Sequence, residues 1–507
     1  MSRCICFAVL SCLIFTAAIS RADEIVDPSG REGVKFDRFG GLVQMRSEAT
    51  GFFRMESFEG RDFLVTPDGH AYRALGLNHF HNMNSTEYQQ TVEQIGSWGF
   101  NAGCYQGPRW MWGLFPYTKG INLVPVCVWK PDDQFEYRDV FDEEVLRRIE
   151  AEVRAIVQPQ KDNAMLIGYF WTDIPIWERN RDGGWVEFFR SLPADSAGGR
   201  QWQKWRSEHP NAPESEFLAV IAKQLYAKGF EFVRKYDPNH LIFGDRYHEI
   251  DMPEAVVREA LRYVDAIAIQ PTSREFNFEF FDGVQQKYGK PLYIADHVSS
   301  YPTAEHPVTM GKAADTAEAY ESYYRRYVTA ALSRPYMIGF NKCQYQDQPT
   351  PQLLKQGLVR SDGRPYEIID RIRVANVTAL GHAYDGTEPK WVAAESTGLD
   401  GANEGKGTEP SFITPVDGTR FGIGEDIDLE VTVDMQAIGG KQVRFYYVKA
   451  GQWTLIGHDD RFPYRATWTT PPRGQWTIYA AVHAQDWTIL AETPIEVSIG
   501  DGRTGQP

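Results

Sequence analysis

Between Ala74 and Phe340 the chain repeats one alternation: a short apolar run, then a stretch long enough for an amphipathic helix. The runs are Ala74–Leu77, Ala102–Tyr105, Leu123–Val128, Met165–Phe170, Leu241–Phe243, Ala266–Ile269, Leu292–Ile294 and Met337–Phe340. A short continuous apolar run suits a strand buried on both faces, and parallel strands joined through helices are of that kind. Eight such units predict an α/β fold, a closed (β/α)8 barrel of the TIM type. An open doubly wound sheet of nucleotide-binding type carries a Gly-rich phosphate turn after an early strand. No such turn occurs here.

The intervening segments support the barrel. Asp142 is placed to cap a helix in which Val145, Ile149, Val153 and Ile156 form one apolar stripe. Phe217, Ile221 and Leu225 form another, and Thr316 to Ser333 predicts a helix that ends before Pro335. The segment from Arg179 to Ser215 is too long for an ordinary barrel connection and carries Trp185, Phe188, Phe189, Trp202 and Trp205. Two uses fit it: shaping a substrate cleft, or packing as a satellite core.

Segments outside the repeat read differently. Residues 1–22 have the pattern of a signal peptide, with Arg3, an apolar stretch from Cys6 to Ile19, and Ser20-Arg21-Ala22 before Asp23. The apolar stretch is shorter than the ~20 residues of a spanning helix, so a secreted or periplasmic protein is expected, with no membrane span. Residues 23–60 read as an irregular lead-in. A strand is expected to turn at Asp68-Gly69, and the next to run from Ala71 to Asn78. The barrel domain is expected over 23–383, a linker rich in Gly, Glu, Thr and Asn over 384–409, and an all-β unit over 410–500.

In that last unit the pattern becomes strict alternation. Ile427, Leu429, Val431 and Val433 face one way, and Asp428, Glu430, Thr432 and Asp434 the other. Val443, Phe445 and Tyr447, then Trp476, Ile478, Ala480 and Val482, repeat it. Short alternating strands of this kind predict a small immunoglobulin-like sandwich. Ile413-Thr414-Pro415-Val416-Asp417-Gly418, and Leu455-Ile456-Gly457 with Phe462-Pro463-Tyr464, resemble bacterial Ig-like modules of secreted enzymes. Such modules act as spacers or bind sugar.

Composition narrows the function. The formal net charge is −15, which argues against nucleic acid or anionic membrane as a partner, since both require clustered Lys and Arg. The 14 Trp and 25 Tyr supply flat amphipathic faces on which sugar rings stack, although large cores use the same residues. Cys104, Cys127 and Cys343 remain after the expected signal. An odd, sparse set is no disulfide framework, and buried free cysteines pack as small hydrophobes. No Cys/His cluster has zinc spacing and no cofactor motif is present, so neither a metal nor a cofactor is expected.

Four places in residues 60–380 carry a family resemblance. They are Asp68-Gly69-His70 leading to Gly76-Leu77-Asn78-His79; Asp139-Val140-Phe141-Asp142 leading to Gly168-Tyr169-Phe170-Trp171-Thr172-Asp173-Ile174-Pro175-Ile176-Trp177; Pro291-Leu292-Tyr293-Ile294-Ala295-Asp296; and Ile338-Gly339-Phe340-Asn341-Lys342-Cys343-Gln344 with Gln356-Gly357-Leu358-Val359. This pattern resembles the clan of (β/α)8-barrel retaining glycoside hydrolases that includes agarases and β-galactosidases, the agarase-like group above all. The resemblance implies hydrolysis of a β-linked polysaccharide or oligosaccharide, agar-like and galactose-containing.

The departures from that clan concern the chemistry itself. There, strand four ends in Asn-Glu, with the Glu as acid/base, and a second Glu on strand seven is the nucleophile. Counting back from Trp177 puts Asp173 at the Asn position and Ile174 at the Glu position. Asp296 stands at the strand-seven position. Glycoside hydrolysis needs two carboxyl groups across the scissile bond, one of them protonated. Asp173 is therefore assigned as general acid and Asp296 as counter-carboxylate, with Glu178 as a substitute acid. Aspartate side chains are short, and the wider gap between them favours inversion over retention. Substrate contacts are assigned to His79, His81, Trp171, Trp177, Arg246, His248, Gln270, His297, Gln344 and Asp347. Two other functions fit the same residues: a sugar-binding barrel that has lost catalysis, and an adhesive or structural protein of the cell surface.

Overall fold

The computed structural model describes residues 25–26, 34–80, 88–105, 113–123, 137–177, 184–249, 251–271, 273–309, 313–314, 316–347 and 354–387 of the N-terminal part. In the C-terminal part it describes residues 410–415, 419–433, 435–438, 440–449, 452–460, 464–484 and 489–500. The expected signal segment, His81, Glu178 and the 124–128 part of the third apolar run lie outside them. The chain divides into two compact units, Met1–Ala393 and Ala394–Pro507.

The first unit holds a closed barrel of eight parallel strands: Ala74–Leu77, Ala102–Gly103, Tyr117–Gly120, Leu166–Asp173, Leu241–His248, Ile267–Gln270, Leu292–Val298 and Met337–Cys343. Seven coincide with the apolar runs. The third does not: Tyr117–Gly120 closes the sheet between the second and fourth strands, in place of the run beginning at Leu123. Leu123 is buried instead outside the sheet, where a Cβ at Gly229 would come within 2.6 Å of its methyl carbon. The strand hides its character because Thr118 and Lys119 break the apolar pattern, while the Tyr117 hydroxyl is bonded internally to Gln160.

Inward side chains fill the barrel with aromatics. Phe170 lies 5.1 Å from Phe243 and 5.3 Å from Tyr293, ring centre to ring centre. The segment ahead of the barrel is more ordered than a lead-in. His70–Tyr72 pairs antiparallel with Leu42–Arg46 and with Arg61–Val65, which in turn pairs with Arg54–Phe58. The strand expected from Ala71 to Asn78 is thus two, broken at buried Arg73. Leu64 and Tyr72 from this sheet, with Phe39 and Phe53 from its connections, join the inner barrel cluster beside Ala74, Ala102, Leu241 and Ala266. These lie at or just before the starts of barrel strands, so the sheet seals that end and leaves the C-terminal strand ends to build a site.

The helices form where their stripes predict. Asp142 accepts hydrogen bonds from the Glu144 and Val145 amides and starts the helix Glu143–Val157; such a cap is worth about 1 kcal/mol. Thr316 does the same for Ala317–Ser333. The last helix of the first unit, Ile369–Asp385, runs two residues into the segment expected as linker and stops at Gly386, whose φ of 66° suits a residue without Cβ. Residues 388–409 lie outside the described residues.

In the second unit, strands Ser411–Thr414, Ile427–Thr432 and Tyr464–Trp468 form one sheet. Arg420–Gly422, Ile489–Gly500, Gly474–His483, Gln442–Lys449 and Gln452–Asp459 form another. The alternation is real: Ile427, Leu429, Val431, Val443, Phe445, Trp476, Ile478 and Val482 are buried in one shared cluster. The result is a β-sandwich.

Candidate active site

The end of the fourth strand is held by two buried acids that face away from the barrel interior. Asp245 accepts a hydrogen bond from the Thr172 amide at 3.0 Å and another from the Tyr226 hydroxyl. Asp251 accepts from the Trp177 amide at 3.1 Å. Between these anchors Ile174 has a φ of 41°, a left-handed backbone that costs a β-branched residue about 1–3 kcal/mol. Asp173 pairs in register with Arg246 on strand five. Its carboxylate meets the Arg246 Nη2 at 3.1 Å, and the arginine is 2 % exposed. Burial alone works against the guanidinium charge. Asp173, Tyr105 and Asp296 more than offset that and keep Arg246 charged.

Asp296 stands on strand seven and is 3 % exposed. Its Oδ2 accepts a 2.7 Å hydrogen bond from the Tyr105 hydroxyl, and the Gln270 side-chain amide lies 3.5 Å from the same oxygen. Its buried Oδ1 has no N–H or O–H donor among the described residues. The Arg246 guanidinium lies 3.3 Å over the Tyr105 ring, a cation–π contact that fixes both groups. Burial pushes the Asp296 carboxyl up to about 6, against the pull of Arg246 and the Tyr105 hydrogen bond; the Asp173 charge adds to the rise. The two aspartates are therefore joined through one arginine, Asp173 directly and Asp296 through Tyr105 and the field of Arg246.

Two more side chains close around Asp296. His79 follows strand one with a φ of 54° and meets Tyr105 edge to face at 6.3 Å. Cys343 ends strand eight and is buried. The donor atoms of His79, Asp296 and Cys343 all lie within 4.8 Å of one another. His248 ends strand five in register with Gln270. Tyr105 and Cys343 read in the sequence as the apolar ends of strands. The usable signal was positional: each is the last residue of an apolar run or strand, at the face where barrel sites are built.

Several assigned residues are elsewhere. Trp171 points outward, stacked 5.3 Å from Tyr226, and Trp177 stacks 5.3 Å from Trp185; both are core, because strand alternation and the turn at Ile174 aim them at the helices. His297 follows Asp296 and so faces the opposite side of strand seven, 4.0 Å from the Tyr327 ring, with Nε2 at 3.1 Å from the Ser273 carbonyl. Burial pushes its pKa down to about 3, which keeps it neutral. Asp347 is sealed inside the loop after strand eight, accepting from the Gln356 and Gly357 amides and the Tyr366 hydroxyl. Gln344 donates to the Gln346 carbonyl at 2.8 Å, within that loop.

No family model matches the chain, and no curated protein matches it in sequence. Solved structures do match. An agarase, AgWH50C, superposes with a TM-score of 0.60 at 18 % identity, over 69 % of this chain and 66 % of that one. PfGH50B gives 0.59 at 17 % identity, over 69 % of each chain. An exo-beta-agarase gives 0.58 at 16 %, over 69 % of this chain and 67 % of that one. This chain thus spans just under two thirds of the agarase AgWH50C. At such identities the likeness is one of fold, and it agrees with the barrel expected from the alternating runs.

Proposed function

We propose that this protein is an exported glycoside hydrolase that cuts a β-linked, galactose-containing polysaccharide of the agar type, with Asp173 and Asp296 as its carboxyl pair. The observation that carries this reading is the linkage of both aspartates at the C-terminal end of the barrel, Asp173 in direct contact with Arg246 and Asp296 through Tyr105, over whose ring Arg246 lies. The fold it shares with two agarases supports the substrate class; fold by itself does not fix an activity.

The surroundings of the two carboxyls exchange the roles first assigned to them. Asp296 is the drier group, and an enclosed carboxyl keeps its proton more readily. It acts as the acid that protonates the leaving glycosidic oxygen. Asp173 is half-open and salt-bridged to Arg246. It acts as the partner carboxyl, which activates a water or attacks the anomeric carbon. Tyr105 and Gln270 orient Asp296.

The test uses substrates of graded leaving-group ability after a screen of algal and plant polysaccharides. Asp296→Asn should lose roughly 10²–10⁴-fold on natural linkages and recover on aryl glycosides whose leaving group needs no proton. Asp173→Asn should lose turnover on both. Near-full activity of either variant on the true substrate would refute the pair. NMR of the first anomer released separates inversion from retention. Ile174, in the place of the clan's acid, favours one alternative, a sugar-binding barrel without catalysis; tight oligosaccharide binding with no cleavage by the wild type would establish it.

A further inference from the structure

We propose that His79, Asp296 and Cys343 form a binding site for one zinc-class divalent ion, and that the ion silences the site by occupying Asp296. The second half rests on the catalytic reading above; the first does not. The three donors come from strands that are neighbours in the barrel. Strand eight pairs with strand seven at Val298↔Cys343 and with strand one at Lys342↔Leu77. The ends of these three strands bring an imidazole nitrogen, a carboxylate oxygen and a sulfur within 4.8 Å of one another.

That donor set selects the ion. Zinc takes all three atom types, at about 2.0–2.3 Å, which puts tetrahedral donors ~3.5 Å apart. Side-chain rotation of about 1 Å meets that requirement. Sulfur is a poor ligand for magnesium or calcium and a good one for zinc and its soft neighbours.

Asp296 is already arranged as a metal ligand would be. Its Oδ2 is engaged by Tyr105 and Gln270, while its buried Oδ1 meets no N–H or O–H donor among the described residues, and the Cys343 thiol interacts with the same carboxyl. Ligating carboxylates are characteristically held this way, with outer groups on one oxygen and the ion on the other. Binding releases the Cys343 thiol proton, and any proton on Asp296, to solvent; His79 donates a neutral nitrogen lone pair. Three protein donors leave a tetrahedral ion one position for water or an added ligand. An ion there occupies the Asp296 carboxyl and keeps a substrate from reaching it.

The test is a cobalt(II) titration of the full-length, tag-free protein under reducing conditions. The wild type should develop a sulfur-to-cobalt charge-transfer band with tetrahedral d–d bands at one ion per chain, and added zinc should erase both. Cys343→Ala should lose the charge-transfer band, and His79→Ala should weaken binding more than tenfold. No band in the wild type, or an unchanged band in Cys343→Ala, overturns the site, and the wild-type result does not depend on any variant folding. On a cleaved substrate, zinc should inhibit the wild type and chelator should restore it. A cobalt band with zinc-insensitive turnover overturns the silencing role of Asp296 and leaves the metal site standing. Failure to cleave any glycoside overturns the catalytic reading while the spectral result stands.

Discussion

Asp245 and Arg246 are sequence neighbours with opposite duties, because successive strand residues face opposite sides. Arg246 turns inward to Asp173, and Asp245 turns outward to the Thr172 amide and Tyr226. Burial pushes Asp245 up to about 6, against the hydrogen bonds that favour its charge. A carboxyl raised in the folded state contributes stability at low pH that is lost as pH climbs from 3.8 through about 6, worth about 3 kcal/mol at full displacement. Asp245→Asn, neutral throughout, lacks that loss. Urea unfolding of both proteins at pH 4.5 and pH 7 should show the variant gaining on the wild type at the higher pH. A difference that does not change with pH would show that Asp245 is not buried as described. The same alternation explains which site residues were legible. Asp173, Asp296, Arg246 and Gln270 lie at strand ends on the inward side. Trp171 and His297 lie at the same ends on the outward side, and a sequence position alone does not distinguish the two faces once a strand carries bulges, as strands four and seven do.

At the level of elements, the excursion after strand four resolves the choice between a cleft wall and a satellite core. Its helices are Gly184–Ser191 and Ala197–Glu208. Trp185 stacks 5.3 Å from Trp177 and lies 5.0 Å from Tyr137, and Trp202 stacks 5.5 Å from Trp205. Trp185, Phe189, Trp202 and Trp205 are buried against Phe217 and the helix it begins. The aromatics therefore hold the excursion to the barrel. Trp185→Ala should cost roughly 3–5 kcal/mol of stability, the range for deleting a buried large aromatic, as measured by urea denaturation. A variant of wild-type stability with weakened oligosaccharide binding would instead assign Trp185 to the substrate. The third barrel strand shows the limit in the other direction. Tyr-Thr-Lys-Gly at 117–120 carries no apolar run, and only the pairing of its neighbours makes it a strand.

At the level of the whole molecule, the barrel and the sandwich each bury their own core. Deleting residues 400–507 should leave the barrel folded, with its thermal transition within a few degrees of the full chain's and its turnover on soluble oligosaccharides nearly unchanged; an insoluble or unfolded barrel would refute independence. The sequence by itself determined the architecture, because burial on two faces writes continuous apolar runs, burial on one face writes alternation, and both patterns survive without knowledge of distant contacts. It also pointed to Asp173 and Asp296 as candidates, through the strand ends that the family resemblance aligns. The tertiary structure alone decided which groups touch them and how. Arg246, Tyr105, Gln270, His79 and Cys343 come from strands five, two, six, one and eight, and no linear spacing relates residues that meet only when a barrel closes. For the same reason the His79, Asp296 and Cys343 cluster escaped every metal motif: its ligands lie on three neighbouring strands that are joined around the ring and far apart along the chain.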